Sequence, residues 1–343
     1  MHYIGLDVHK KSIAYCIKQA DGTILREGSI VASRPDLDRW AATLPQPWTG
    51  AMEATLFSDW IYDHLHPQAA DLRMGHPAKM RAITAGKKKS DTLDARTICD
   101  LLRCDLLPPA YVLPLEIREL RRVLRYRNLL VRAAVQMHNK IAGLLLEMGI
   151  AYETPRLHRK RYFHQLMDQP QQPIPESARH LLAFSRTQYE TLHRMEQQLL
   201  DGLAAHPDIA ERVERLMEIP GVGPVLALTW ALEVGPVERL GNISRAISFC
   251  GLCSALRESA GQQKRGPLSK QRNAHLQRVL IEAAHLAPRW NPLLAEIKQK
   301  ELMRGNRNRA TLAVARKLVA FLMGADRGHQ PRCPAPATAG RIS

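Results

Sequence analysis

Two acidic residues stand inside apolar, strand-patterned segments, and nothing else in this chain limits its fold as strongly. Asp7 lies in the run 2–8, where Tyr3, Ile4 and Leu6 supply the apolar pattern, and Glu53 lies in 49–54, apolar around that one acid. A carboxylate in a buried strand is costly unless it is paired, protonated or bound to a cation. The flanking pattern predicts strands over 2–8, 12–18, 24–30, 49–54 and 72–75 and helices over 35–44 and 57–65, with Asp21-Gly22 as a hairpin turn and Ser33 as a helix cap. A βββαβαβ order of this kind builds an α/β layer on a mixed sheet.

Beyond residue 90 the period changes. Ser90 is placed to cap a helix over 91–102 that begins with Asp91 and Asp94. A long helix follows from about 114 to 148. Leu120, Val123, Leu130, Ala134, Met137, Ile141, Leu144 and Met148 keep helical spacing, with one gap filled by Arg127, and predict helix pairing within or between chains. Its other face carries Arg118, Arg121, Arg122, Arg125 and Arg132. With few acids to pair them, these arginines read as phosphate contacts rather than as a solvated face. Residues 150–177 hold four prolines and the cluster His158-Arg159-Lys160-Arg161, and read as a linker or insertion. A helix over 178–204 and an all-helical region over 208–324 complete the pattern. The expected organisation is therefore 1–110, an α/β domain; 111–205, a helical coiled-coil region with its Pro-rich linker; 206–325, a helical domain; and 326–343, a disordered tail.

Charge narrows the partners. The 343 residues include 49 Lys and Arg against 33 Asp and Glu, a formal charge of +16. A surplus of that size attracts polyanions, of which nucleic acid is the commonest. Six cysteines spread over a long chain do not make a secreted disulfide framework. Cys250-x-x-Cys253 is half a zinc pattern without a second half, and reads as two small buried residues. No apolar run is long enough to span a bilayer and no signal-peptide pattern opens the chain, so a cytoplasmic, nucleoid-associated protein without membrane contact is expected.

Two strand acids in one sheet and two helix acids at i and i+3 can converge on one point. Four carboxylates repel one another, and a hard divalent cation, Mg²⁺ or Mn²⁺, relieves that and can clamp a phosphoryl displacement. Lys88 and Lys89 beside Asp91 suit an anionic substrate. The alternative is a set of separate salt bridges. In the C-terminal half, Ile219-Pro220-Gly221-Val222-Gly223 follows a helix-hairpin-helix pattern, in which Gly221 and Gly223 let the backbone approach phosphate; a tight helix–helix turn is the alternative. Arg257, Ser259, Lys264, Arg265, Ser269 and Lys270 share one glycine-punctuated segment. A hydroxyl among cations there can attack a phosphodiester if it is activated, or the segment can be a basic nucleic-acid contact.

Gly5-Leu6-Asp7-Val8-His9-Lys10, Met52-Glu53-Ala54-Thr55 and Lys89-Ser90-Asp91-Thr92-Leu93-Asp94-Ala95 resemble the DEDD motifs of the Piv/insertion-sequence-one-ten family of transposases and DNA invertases, and 216–286 resembles that family's C-terminal transposase domain. The resemblance covers about 1–325. It implies a RuvC-like, RNase H-type first domain, a metal-binding tetrad of Asp7, Glu53, Asp91 and Asp94, and a nucleophilic serine at Ser259. It further implies excision and insertion of the family's own mobile element, donor and target DNA as partners, a structured guide RNA, and a homo-oligomer, dimer or tetramer. The chain departs from the pattern at Ala260, at Arg272 and at Cys253-Ser254, where the family usually has Gly, Gly and a proline-containing stretch. Tetrad and serine lie far apart in sequence, so a composite site is expected, with the 115–148 helix as the oligomer contact. The rival readings are a metal-dependent nuclease or junction resolvase without serine chemistry, and a non-catalytic helix-hairpin-helix DNA-binding protein.

Overall fold

The computed structural model describes residues 1–83, 90–168, 174–259 and 262–329, and the side chains of 82, 255–259 and 262–265 are not among what it describes. Lys88 and Lys89, and residues 330–343 of the expected tail, lie outside the described residues. The chain forms two compact units, Met1–Val112 and Leu113–Ser343.

The first unit is built on a five-stranded sheet of β1 (His2–Val8), β2 (Ser12–Lys18), β3 (Ile24–Val31), β4 (Trp48–Glu53) and β5 (Asp71–Gly75), in the order β3-β2-β1-β4-β5. β1, β2 and β3 pair antiparallel, whereas β4 runs parallel to β1 and β5 parallel to β4. This is the mixed sheet that the strand order predicted. Alternation divides the sheet's two faces. Ile4, Leu6 and Val8 of β1 and Trp48 and Met52 of β4 point into one core, with Leu37 and Trp40 of α1 (Arg34–Ala41) and Ile61 and Leu65 of α2 (Ser58–Leu65). Burying each such side chain contributes roughly 1.5–3 kcal/mol.

The opposite face lies under α4 (Asp91–Arg103), which follows the short α3 (Pro77–Ile83). Gly5 and Ala51 face it, as do Ala14 and Cys16 of β2, and the helix answers with Ala95 and Cys99. The approach is close: a Cβ on Gly5 would stand 2.1 Å from the carbonyl oxygen of Ala95 and 2.5 Å from the amide nitrogen of Cys99. Two polar ties fix the helix laterally. Lys18 Nζ lies 2.6 Å from Asp100 Oδ2, and Arg96 forks onto Glu27 at 2.7 and 2.6 Å. Ser90 caps the helix by accepting the Leu93 amide at 3.3 Å.

The second unit opens with α5 (Leu115–Glu147), α6 (Lys160–Met167) and α7 (Glu176–Ala204). α5 and α7 pack antiparallel. Leu144 and Leu145 near the end of α5 share a cluster with Leu182 near the start of α7, and Arg127 pairs with Glu196 farther along. The apolar stripe of α5 thus pairs within the chain, its end against α7 and Leu120 and Val123 against the C-terminal core, the intramolecular one of the two pairings its spacing allowed. The 150–177 segment is also not a bare linker. Ile150, Leu157, Phe163, Leu166 and Ile174 are buried over the end of the α5–α7 pair, and buried Arg186 holds them by donating to the carbonyls of Leu157 and His158. Pro155 lies in a single helical turn, Thr154–Arg156, and Pro175 directly precedes α7.

The remaining helices are α8 (Ala210–Met217), α9 (Pro224–Val234), α10 (Ile243–Phe249), α11 (Ala274–Leu286), α12 (Pro292–Leu302) and α13 (Arg307–Asp326). α9 is buried on every side and forms the centre of this core, with Leu276 and Leu280 of α11 and Val314, Leu318 and Leu322 of α13 around it. Asp326 does not begin a frayed tail. Its buried carboxylate accepts from Arg212 and, at 2.9 Å, from Trp230 Nε1. The region is not all-helical either. β6 (Ser254–Ser259) and β7 (Gln262–Leu268) pair as an antiparallel hairpin in which Arg257 faces Lys264 and Ser259 faces Gln262. Charged residues in both strands hide the alternation that marks a strand.

Candidate active site

In the first unit, the period-2 alternation of a strand puts Asp7 on the same face as Gly5, and Glu53 on the same face as Ala51. Both are the faces that α4 covers. β1 and β4 are parallel and pair Gly5 with Ala51 and Leu6 with Met52, so Asp7 and Glu53 follow side by side at the carboxyl ends of adjacent strands. Ligand sites of α/β sheets form at that edge. α4 starts there, and its first turn supplies Asp91 and Asp94 one helical turn apart.

The four acids line one cleft of about 780 Å³, together with His9, Lys10, Thr55, Arg81 and Ser90. Asp7 is 8% exposed, Glu53 and Asp94 are half-buried, and Asp91 is exposed at the mouth. His9 Nε2 stands 3.0 Å from Asp7 Oδ2 and 3.3 Å from Asp91 Oδ1, and the three ligating atoms lie within 4.8 Å of one another. Burial pushes the Asp7 carboxyl up from its ordinary value. His9 pulls it back, and the negative charges of Asp94 and Asp91 add to the rise. The net rise is chiefly the cost of holding a charged carboxylate out of water, a cost that a bound cation would offset. The donor set, carboxylate oxygens with one imidazole at the edge, fits a divalent metal.

His9, Lys10 and Arg81 were given no role from the sequence. His9 had a usable signal, because a residue two after a strand acid leaves the strand on the same side. Arg81 had none, since only the packed position of α3 brings it to the cleft. Lys10 and Arg81 supply cationic side chains at the cleft, the part expected of Lys88 and Lys89.

The predicted basic face of α5 divides. Arg118 is buried and its Nε donates to the Leu113 carbonyl at 2.8 Å. Arg125 forks onto buried Glu233 of α9 with two bonds of 2.9 Å. Asn273 adds a third bond to Glu233 at 2.8 Å, and these partners hold that carboxyl below its ordinary value against the opposing effect of burial. Arg118 is therefore engaged inside the protein, and Arg125, though its side chain is 43% exposed, has its guanidinium committed to Glu233. Arg122 is exposed and Arg121 half-buried.

Gly221 and Gly223 occupy the turn between α8 and α9. Gly221 has φ +91°, and a Cβ there would stand 2.7 Å from the Ala287 Cβ, so its glycine serves packing. Gly223 precedes α9 with open space where a Cβ would project. Ser259 closes β6 opposite Gln262, with Arg257 in the same strand and Lys264 and Arg265 in β7; the side chains of all five lie outside the described residues. Lys270 is exposed just after the hairpin. Cys250 is buried and its thiol is pushed up to about 12 by that burial, which suits a core residue rather than a metal ligand.

Among the described residues no helix is long and apolar enough to cross a membrane. Residues 4–150 match a family model of DEDD, IS110-type proteins described as transposase, and residues 213–299 match one described as transposase of the IS116/IS110/IS902 family. A probable family 20 transposase of Pseudomonas aeruginosa is 27% identical over 71% of this chain and 72% of its own. The transposase for insertion sequence element IS1328 of Yersinia enterocolitica is 25% identical over 92% of this chain and 93% of its own. The transposase for IS1111A of Coxiella burnetii is 25% identical over 67% and 64%.

Proposed function

Because the chain belongs to the IS110/IS116/IS902 family of transposases, we propose that it cuts and rejoins DNA with a two-part chemistry: Asp7, Glu53, Asp91 and Asp94 hold Mg²⁺ or Mn²⁺ at the scissile phosphodiester, and Ser259 attacks it. The observation that carries this reading is the convergence of four acids from three elements in one cleft, under a helix that Gly5 admits to contact distance. The strand order β3-β2-β1-β4-β5, with acids at the ends of β1 and β4, supports a RuvC-like, RNase H-type domain.

When bound, the cation supplies Lewis-acid stabilisation of charge on the phosphate oxygens. The chain's own residues do the rest. Asp7 and Glu53 are fixed by the sheet and orient the site. Asp91 and Asp94 close it from the helix. His9 bridges Asp7 and Asp91 and keeps their carboxylates turned toward one another. Lys10 and Arg81 draw the phosphate toward the acids. Ser259 Oγ gives up its proton and forms a bond to phosphorus as the bridging oxygen of the DNA leaves and takes up a proton to become a free hydroxyl; the hydroxyl of the new DNA end later attacks the phosphoserine, and Ser259 leaves and regains its proton. The cations of 257–270 neutralise that phosphate. The full reaction joins donor and target DNA, guided by a structured RNA of the element, and acts as a homo-oligomer; base pairing then carries sequence choice and the protein needs basic channels.

The test is recombination by purified full-length protein on donor and target DNA with Mg²⁺, with and without RNA transcribed from the element's flanks. Ser259→Ala is expected to abolish strand exchange and the covalent protein–DNA adduct seen by denaturing electrophoresis. Retained exchange would eliminate the serine step and leave a metal-dependent nuclease or resolvase. Loss of exchange without RNA alone would carry the guided mechanism.

A further inference from the structure

A second cavity, of about 440 Å³, opens in the Leu113–Ser343 unit between α5, the α8–α9 turn and α11. The sequence marks only its Gly221–Gly223 turn, as a phosphate approach, and leaves the rest of the lining without a role. On α11 its wall is formed by Arg278, Glu282 and Leu286, one every four residues, so the cavity runs from charged at one end to apolar at the other. Beyond Leu286 stands Trp290, a full indole that is 57% exposed, where a monomeric protein gains nothing by leaving it in water.

Two observations make this a built site. The amino end of α9 reaches the cavity at Gly223 and Pro224, has no side-chain cap, and meets open space where a Cβ on Gly223 would project. Uncapped helix starts attract anions. At the cavity's floor Asn128 is 3% exposed; its Oδ1 accepts from Arg127 Nη1 at 3.3 Å, and that bond leaves its Nδ2 as the donor with no partner. A buried amide nitrogen without an acceptor costs about 1–3 kcal/mol and is an exception in folded proteins.

We propose that this cavity binds one unpaired nucleotide of a single-stranded nucleic acid. A nucleotide offers each of these groups its complement within a few ångströms: an anion for the amino end of α9, an apolar face for the indole beside it, and carbonyl or ring-nitrogen acceptors at its edge. Its phosphate meets the amino end of α9, which the Gly221–Ala287 approach and the Asn291–Pro220 bond place beside Trp290, and Arg278 lies farther along the cavity, on the path of the neighbouring phosphate. Its base stacks on Trp290 beside Leu286. Its edge gives Asn128 the missing acceptor once the side chains around the amide adjust to admit it. A duplex does not satisfy this site, because the faces of paired bases are covered by their neighbours and only an unpaired base can offer one to an indole. The proposal rests on the reading that the chain acts on nucleic acid, and adds a place where a displaced or looped strand is held.

The experiment is fluorescence anisotropy with full-length protein and labelled oligo(dT), oligo(rU) and a duplex, each of about 15 nucleotides or base pairs to match a typical single-strand site. Trp290 is exposed, so Trp290→Ala leaves the fold intact by thermal melt. It is expected to weaken single-strand binding about tenfold, the ordinary loss for one stacking aromatic, with duplex binding unchanged and Trp290→Phe restoring most of it. A loss confined to oligo(dT) assigns the strand to DNA, and one confined to oligo(rU) assigns it to RNA. A photo-crosslink from 4-thiouridine or 4-thiothymidine in the same oligonucleotides is expected to map to 278–290. Equal single-strand affinity for Trp290→Ala and wild type overturns the proposal. If it fails while Mg²⁺-dependent exchange persists, the recombinase reading stands; if no nucleic acid binds at all, both fall.

Discussion

Asp7 shows how one residue carries both a cost and a function. Its folded carboxyl is raised above the ordinary value of 3.8 by burial and by two neighbouring acids, against the pull of His9. The folded state then holds the proton more tightly than the unfolded chain. As pH rises from about 3.8 through the folded value, the metal-free protein loses stability, and above it the ionised carboxylate remains a standing cost. Asp7→Asn removes the charge. Without metal at pH 7 the variant is expected to melt higher than wild type, by roughly 2 °C or more, and the gap is expected to close as pH falls toward 3.8. Mg²⁺ is expected to raise the wild-type melting temperature and not the variant's. Identical metal-free melting at pH 7 would show that the acids impose no such cost. The two strand acids were legible in the sequence because a charged residue in an apolar strand has few explanations. His9 was visible but idle there, and Arg81 was invisible, because a side chain delivered by the packing of a separate short helix leaves no periodic trace.

α4 is the element on which the site depends, and Gly5 decides where it lies. A methyl at Gly5 would meet Ala95 and Cys99 backbone at 2.1 and 2.5 Å, so Gly5→Ala has to push the helix off the sheet. Asp91 and Asp94 would move with it, while Asp7 and Glu53 stay with their strands. The expected result is a folded protein, destabilised by about 1–3 kcal/mol, whose metal-dependent strand cleavage falls at least about a hundredfold, since a misplacement of about 1 Å costs that much. Near-normal cleavage would place the catalytic acids elsewhere. α5 teaches the converse lesson. Counting its arginines against nearby acids missed that Arg125 has a partner far away in sequence, Glu233, buried in the largely apolar α9. Arg125→Ala is expected to cost about 2 kcal/mol, less than the usual toll for breaking a sealed pair because the Arg125 side chain is 43% exposed. Arg122→Ala is expected to leave melting unchanged and to reduce the salt slope of DNA binding by about one. Chemical denaturation and binding titrations read the two apart, and the opposite assignment would restore Arg125 as a phosphate contact. Strand order, the long helix and the cap of α4 were readable from local periodicity. The β6–β7 hairpin, the packed 150–177 segment and the anchored Asp326 were not, because polar strands, proline-bearing turns and long-range ion pairs carry no period.

At the scale of the molecule, charge and chemistry are separable properties that a transposase has to combine. The formal charge of +16 supplies attraction to any polyanion, and such binding weakens steeply with salt: a protein with 6–10 phosphate contacts loses about 10³–10⁵ in affinity between 50 and 200 mM salt. The acid cleft works against that attraction, since four carboxylates repel the phosphate that they are proposed to cut. A divalent cation reverses the sign locally, so catalysis and not affinity is what should depend on metal. The double variant Asp7→Asn, Glu53→Gln discriminates between these roles. It removes two negative charges, so DNA affinity at fixed salt is expected to hold or rise slightly and the salt slope to stay within about one of the wild type's. Strand cleavage with Mg²⁺ is expected to fall about a thousandfold, the consequence of losing several kcal/mol of transition-state stabilisation. A binding protein without catalysis would show no metal-dependent cleavage in either form. A protein whose acids serve only as salt bridges would keep its cleavage and lose stability instead. Unchanged affinity with lost cleavage is the one pattern that requires the basic surface and the acidic cleft to perform distinct steps on the same DNA.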